Sequence, residues 1–344
     1  MSKLSLNEAY ENRIYADRAR AAAALAAMIA GRRDSKYTVE VKSGVLPPGF
    51  PDIIAADPRL LPAVDHIHMT NVSGSGQNVR VTMDVTYTDI LPGTVEIADS
   101  PGAFRKAALL AARRHNRTFA AVFPAQIEQD IKMETDAALN SSDFINTGLR
   151  SCQHGFSKIE GSGWRAAVWN MSYRFSYRQW RSRSRLGTAE AERIAAMIRS
   201  SGQEDWRRAY ELVRWCVENW TYGRDEAAPG EEYTFYGALL NHKAVCMGFS
   251  LALCRIFDIL GIPCRYVTGR RKGGSGGHAW NMIFLRGGWF YLDLTDAIAM
   301  KDPLYRWGFT ELDDRVLDIP CSERLQCNCS ADFIRSRLGG RNAA

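Results

Sequence analysis

Ala244-Val245-Cys246-Met247-Gly248-Phe249-Ser250 is the stretch on which the reading of this 344-residue chain turns. From it Phe249, Leu253, Ile256, Phe257 and Leu260 recur at helical spacing until Gly261 and Pro263 break the pattern, so Cys246 opens a buried helix. The unpaired N–H groups and positive dipole end at a helix N-terminus stabilise a thiolate, lowering a thiol pKa from about 8.5 to roughly 3.5–7.5. A thiolate is the nucleophile that acyl transfer requires.

Downstream, His278-Ala279-Trp280-Asn281-Met282-Ile283-Phe284-Leu285 reads as a strand, and Trp289-Phe290-Tyr291-Leu292-Asp293-Leu294-Thr295 returns after Arg286-Gly287-Gly288 as the second arm of a hairpin. A two-residue turn, at Arg286-Gly287 or Gly287-Gly288, puts even positions of the first arm on the same face as odd positions of the second. With Arg286-Gly287 as the turn, Thr295 stands opposite His278 and Asp293 is its diagonal neighbour, within hydrogen-bonding reach. A bulge or a three-residue loop would reverse the parity and bring Asp296 forward instead.

Taken singly, Cys246 is a small buried hydrophobe, His278 a satisfied strand-end residue and Asp293 a surface charge. In this order and context they assemble a reaction. Cys246 attacks a carbonyl, His278 activates the thiol and later protonates the leaving group, and Asp293 holds the imidazole in its productive tautomer.

Six blocks follow one another in the second half: Tyr236-Gly237-Ala238-Leu239-Leu240, Lys243-Ala244-Val245-Cys246, Gly261-Ile262-Pro263-Cys264, Val267-Thr268-Gly269, His278-Ala279-Trp280-Asn281 and Trp289-Phe290-Tyr291-Leu292-Asp293-Leu294-Thr295. In that order and spacing they resemble a bacterial transglutaminase-like core, over residues 203–297. The resemblance implies an α+β, papain-like fold, with a nucleophile helix packed on an antiparallel sheet that carries the His and Asp, and it maps the family's triad onto Cys246, His278 and Asp293. Two departures bear on substrate preference. Met247 follows the nucleophile where many relatives carry a polar or acidic residue, and Asp296 follows Thr295 in place of the common tryptophan. For the oxyanion, the Cys246 backbone N–H is one candidate donor. Trp220 and Tyr222 are candidates for the second, and Trp280 is a further cleft candidate; each of the aromatics reads equally well as core.

Composition suits a folded enzyme: 46% hydrophobic and 24% charged residues, with a formal net charge of +6 that favours anionic surroundings without specifying nucleic acid. The eight cysteines are spread without the density of a small secreted fold, so a reducing, cytoplasmic setting is the expectation, with non-classical export left open. Cys321, Cys327 and Cys329 lack a C-x-x-C pair or an adjacent histidine, and neither a metal nor a cofactor is expected. The apolar run over residues 21–30 is flanked by charge and is too short to span a bilayer. It reads as part of an alanine-rich helix that begins at a Ser5-Leu6-Asn7-Glu8 capping box and ends at Gly31.

An α+β accessory region is expected over residues 1–185, before a catalytic domain over 186–344. Its strands are Tyr37-Thr38-Val39-Glu40-Val41, 79–87 after a flexible Ser73-Gly74-Ser75-Gly76, and 164–175. Its helices run over 102–115 and from Thr118 into the 130s. The arginine-rich Tyr177-Arg178-Gln179-Trp180-Arg181-Ser182-Arg183-Ser184-Arg185 reads as a solvated linker rather than a nucleic-acid platform, with Thr188 capping a helix over 189–199 and a second helix over 203–219. The glycine-rich 270–277 reads as a mobile flap before His278. The activity expected is cysteine-dependent acyl transfer on peptide or glutamine amide bonds, hydrolysis ahead of crosslinking, with a protein or peptide as substrate. The alternative is a non-catalytic adaptor that binds protein or cell-envelope peptides.

Overall fold

A computed structural model describes residues 13–31, 35–75, 77–202, 204–270, 277–305, 334 and 338. The chain divides into two units, Met1–Leu139 with Ser151–Ser172, and Asn140–Arg150 with Tyr173–Ala344.

The first unit runs β1 (Ile14–Tyr15), α1 (Arg18–Ala30), β2 (Lys36–Lys42), α2 (Phe50–Ala56), α3 (Leu60–Ala63), β3 (Val64–Ser75), β4 (Asn78–Tyr87), β5 (Glu96–Ile97), α4 (Pro101–Arg113), β6 (Thr118–Pro124) and α5 (Glu128–Leu139). After α6 (Ser142–Ile145), which belongs to the second unit, come β7 (Leu149–Lys158) and β8 (Trp164–Tyr173). Two four-stranded sheets form, in the orders β1-β2-β4-β3 and β5-β6-β8-β7. Alternation decides the first: Tyr37, Val39 and Val41 of β2 and Val81, Met83 and Val85 of β4 are buried, and several pack with Leu25, Met28 and Ile29 of α1.

Three expectations for this unit are corrected. The alanine-rich helix does end at Gly31, but it starts at Asp17, whose carboxylate accepts from the Arg20 N–H at 2.7 Å. β1 lies before it, and Ser5 to Glu8 fall outside the described residues. Ser73, Gly74 and Ser75 are strand, not flexible loop: β3 is an edge strand held by its ladder to β4, and its exposed side chains leave no hydrophobic alternation to read. Thr118–Pro124 is β6 rather than helix. Phe119 to Phe123 are all buried, and a strand covered on both faces shows no period that separates it from a buried helix.

The second unit runs α7 (Tyr177–Arg199), α8 (Asp205–Asn219), β9 (Thr221–Tyr222), a 3-10 turn (Glu231–Tyr233), α9 (Phe235–Asn241), β10 (Lys243–Ala244), α10 (Cys246–Leu260), β11 (Cys264–Arg270), β12 (Gly277–Leu285), β13 (Gly288–Leu292) and α11 (Leu294–Met300). One core joins these helices to the sheet β11-β12-β13. It includes Ile194 of α7, Trp206 and Val213 of α8, Leu239 of α9, Phe249, Leu253 and Phe257 of α10, and Ile283 and Phe290 of the sheet. The fold is thus α+β with a helix of high apolar content against an antiparallel sheet, as the papain-like expectation requires.

The arginine-rich segment is not a linker. Ser176 and Gln179 form a reciprocal capping box, and the helix they open continues unbroken past residue 185 and Thr188 to Arg199. Within it Arg183 donates through Nε to Glu231 at 2.8 Å and through Nη2 to the second Glu231 oxygen, and to Asn241 at 3.2 Å. The expected domain junction at residue 185 therefore falls inside a helix. Among the described residues no helix is long and apolar enough to cross a membrane.

Candidate active site

α10 begins at Cys246 because the preceding chain is pinned. The Val245 N–H donates to the Glu232 carbonyl at 3.1 Å, and Val245 is extended before the helix turns in. Gly248 makes this approach feasible: a Cβ there would stand 2.4 Å from the Glu232 carbonyl oxygen and 2.9 Å from Ala244 Cβ. The sulfur is thus presented at the first helical position.

β12 brings the imidazole. The hairpin turn is Arg286-Gly287, with Leu285 paired to Gly288 and left-handed φ values of 50° and 83° at the two turn residues. From there the ladder runs back to Asn281 against Leu292, where β13 ends. Thr295 does not stand opposite His278. The chain leaves the sheet into α11, and Asp293 serves as its N-cap, its Oδ1 accepting from the N–H groups of Thr295 at 3.1 Å and Asp296 at 3.3 Å. Its other oxygen, Oδ2, lies 2.7 Å from His278 Nε2. The partner of His278 is therefore Asp293 and not Asp296, reached by a helix cap rather than a strand diagonal. Both side chains are largely buried.

His278 reaches the sulfur as well. Burial by itself pushes the Cys246 thiol up. Against it, a hydrogen bond and charge from His278 and the backbone N–H groups of Ala279 and Met247 bring the thiol below its ordinary range. With Nε2 committed to Asp293, Nδ1 is the ring nitrogen left for the thiol. The arrangement is chemically that of an activated thiol: a sulfur at a helix N-terminus, a base against it, and a carboxylate behind the base.

The aromatic candidates fall into different places. Trp220 is 3% exposed and stacks on Phe249 of α10 at 5.4 Å between ring centres, its indole N–H without a hydrogen-bond partner. Tyr222 is 49% exposed and lies 6.4 Å from the same ring. Trp280 stacks on the His278 ring at 5.7 Å with an interplanar angle of 28°, which makes it a support for the imidazole. Sequence reasoning overlooked Asn281 and Tyr266. Asn281 is fully buried and donates through Nδ2 to the Ser250 carbonyl of α10 at 2.9 Å, and the hydroxyl of Tyr266, directly opposite it on β11, is pushed up chiefly by burial and then by the nearby Cys246 and Cys254. Strand parity carried that signal, since Asn281 sits between Trp280 and Met282 on the opposite face of β12.

Residues 271–276 of the glycine-rich flap, and Cys321, Cys327 and Cys329, lie outside the described residues. Among the described residues no cluster of three or more His, Cys, Asp or Glu side chains could hold a metal ion.

Residues 192–294 match the model of the transglutaminase-like superfamily. The chain carries a transglutaminase-like domain. The match opens within α7 and closes just after Asp293, so it takes in α10 with Cys246, the sheet β11-β12-β13 with His278, and Asp293 together. No curated protein matches the chain. Among solved structures, a TGase crystal structure shares 18% identity, covering 62% of this chain and 61% of its own, with a TM-score of 0.27. The periplasmic domain of TgpA from Pseudomonas aeruginosa, bound to ethylmercury, shares 16%, covering 43% of this chain and 66% of its own, with a TM-score of 0.28. The chain thus spans less than two thirds of the length of either.

Proposed function

We propose that the transglutaminase-like domain is a cysteine-dependent acyl-transfer enzyme in which Cys246, His278 and Asp293 act as a triad. The observation that carries this reading is the His278 imidazole set between a thiol held below its ordinary pKa and a carboxylate 2.7 Å away. The Cys246 thiolate adds to an amide carbonyl. The resulting oxyanion is met by the Cys246 backbone N–H, at a helix end where such groups have no helical acceptor, and by the indole N–H of Trp220, with Tyr222 at the rim. Imidazolium His278 then gives its proton to the departing amine and leaves a thioester. An incoming nucleophile loses a proton to His278, attacks the thioester, and releases Cys246 as thiolate.

The substrate class is a protein or peptide, through a backbone amide or a glutamine side chain, and water is the acceptor we assign. Water needs no site of its own beside the thioester, whereas an amine must be bound and oriented there. A reducing compartment is part of the reading, and it rests on the eight cysteines being spread along the chain without the density of a small secreted fold. The test is incubation with a peptide library and a fluorescent amine, followed by mass spectrometry. Cleaved or deamidated peptides without amine incorporation are expected, and absent with Cys246→Ala. Identical products from both proteins would refute the triad, and amine incorporation would replace hydrolysis by transamidation.

A further inference from the structure

Two turns beyond Cys246, about 12 Å along α10 at the helical rise of roughly 1.5 Å per residue, a second sulfur comes into play. Cys254 Sγ lies 3.5 Å from Cys264 Sγ, the first residue of β11. The two are joined by a short connection through Gly261 and Pro263, and both residues are partly exposed. Asn281 Nδ2 donates toward both sulfurs, at 3.2 Å to Cys254 and 3.5 Å to Cys264. A disulfide needs about 2.05 Å between sulfurs, so an approach of roughly 1.5 Å, within reach of side-chain rotation, would close the pair.

We propose that Cys254 and Cys264 form a redox-active dithiol, separate from Cys246, that takes a small-molecule disulfide as its oxidant and closes into an intramolecular disulfide fastening the nucleophile helix to the sheet. The exchange balances in two steps. Cys254 thiolate attacks one sulfur of the oxidant, forming a mixed disulfide and expelling one thiolate. Cys264 then loses its proton and attacks the Cys254 sulfur, expelling the second, so that the protein gives up two electrons and two protons and the oxidant leaves as two thiols. The same balance holds with the two sulfurs exchanged, since the geometry places them symmetrically about the 3.5 Å gap.

The pair is a property of this chain's own α10 and β11, and it stands whether or not Cys246 performs acyl transfer. In a reducing compartment it rests as two thiols, and in an oxidising one it is a permanent link. The short loop it closes gives it its effect on the unfolded chain.

The experiment uses the full chain with Cys246→Ala, so that the tryptic peptide over residues 244–255 retains Cys254 as its sole cysteine. The protein is incubated with excess oxidised glutathione, free thiols are blocked with iodoacetamide, and the unreduced digest is mapped by mass spectrometry. The expected product is the 244–255 peptide linked to the 256–265 peptide, two hydrogens lighter than their sum. With it, the thermal midpoint should rise by roughly 3–8 °C. In the same background Cys264→Ser should show no midpoint rise and should hold glutathione on Cys254. Stable glutathione adducts without a cross-link, linkage of either cysteine to a different partner, or two thiols that stay unmodified would each overturn the proposal. Repeating the mapping on the wild type separates this from the triad, because a Cys246-to-Cys264 link there would also count against the pair.

Discussion

At the scale of single residues, Cys246 and Asp293 make separable predictions. Removing the ring in His278→Ala deletes the largest contacts that pull the Cys246 thiol down, and leaves burial, which pushes it up, opposed only by the Ala279 and Met247 N–H groups. Alkylation of wild-type Cys246 should therefore persist at pH values below the ordinary thiol range and fall only as pH drops through the lowered pKa, whereas in the variant the profile moves to higher pH. If iodoacetamide titrations of the two proteins superimpose, His278 does not address the sulfur. The same lowering makes a stability statement. The thiolate's contribution is present above the ordinary thiol pKa and is lost as pH falls through the lowered value, and Cys246→Ser should lack that pH dependence. Turnover in His278→Ala should drop by about 10²–10⁴-fold, the usual worth of a positioned general base. Asp293 does two things with two oxygens, and substitutions can part them. Asn is as good an N-cap as Asp, so Asp293→Asn should keep the melting point and lose turnover, while Asp293→Ala should also lose about 0.5–2 kcal/mol of stability. Equal melting points for Asn and Ala would show that the cap is not used.

At the scale of elements, the presentation of Cys246 depends on packing behind α10. Gly248→Ala would drive a methyl into the Glu232 carbonyl and Ala244, neither of which is the far end of a flexible side chain. Overpacking of this kind costs about 1–3 kcal/mol, and the first turn of α10 should shift, so thermal stability and Cys246 alkylation rate are expected to fall together. Arg183→Met should act on the same segment from further off, by leaving Glu231 without its guanidinium. A charge-assisted pair is worth about 1.5–3 kcal/mol, and its loss should register in a denaturant midpoint. These elements also show what the sequence could carry. α10 was legible to its first residue because Phe249, Leu253 and Leu260 mark one face and Gly261 stops it. The β12-β13 hairpin was legible because Arg286-Gly287 has the chemistry of a two-residue turn. What followed Leu292 was not, because a strand-like Asp293-Leu294-Thr295 differs from a capped helix only in where its backbone hydrogen bonds go. The α7 arginines misled for the same reason, since Ser176 and Gln179 are the capping signal and they precede a run whose exposed charges resemble a linker.

At the scale of the molecule, the interleaved boundaries of the two units predict how the chain can be cut. A fragment over residues 140–344 keeps every residue of the second unit, with α7 whole and Arg183 on Glu231, and should melt cooperatively. One that begins at residue 186 severs that helix and should not; circular dichroism on both decides it. No period in composition marks residue 173, which is why the junction read from charge alone sat a dozen residues late. A last consequence follows from the place of Asp293. α11 spans only seven residues, too short to hold its shape without neighbours, so heat will fray it while the sheet is still intact. With the fray goes the clamp that keeps the carboxylate aimed. The temperature of fastest turnover should then lie below the calorimetric melt, and stiffening α11 alone should raise the former towards the latter without touching a single reacting atom.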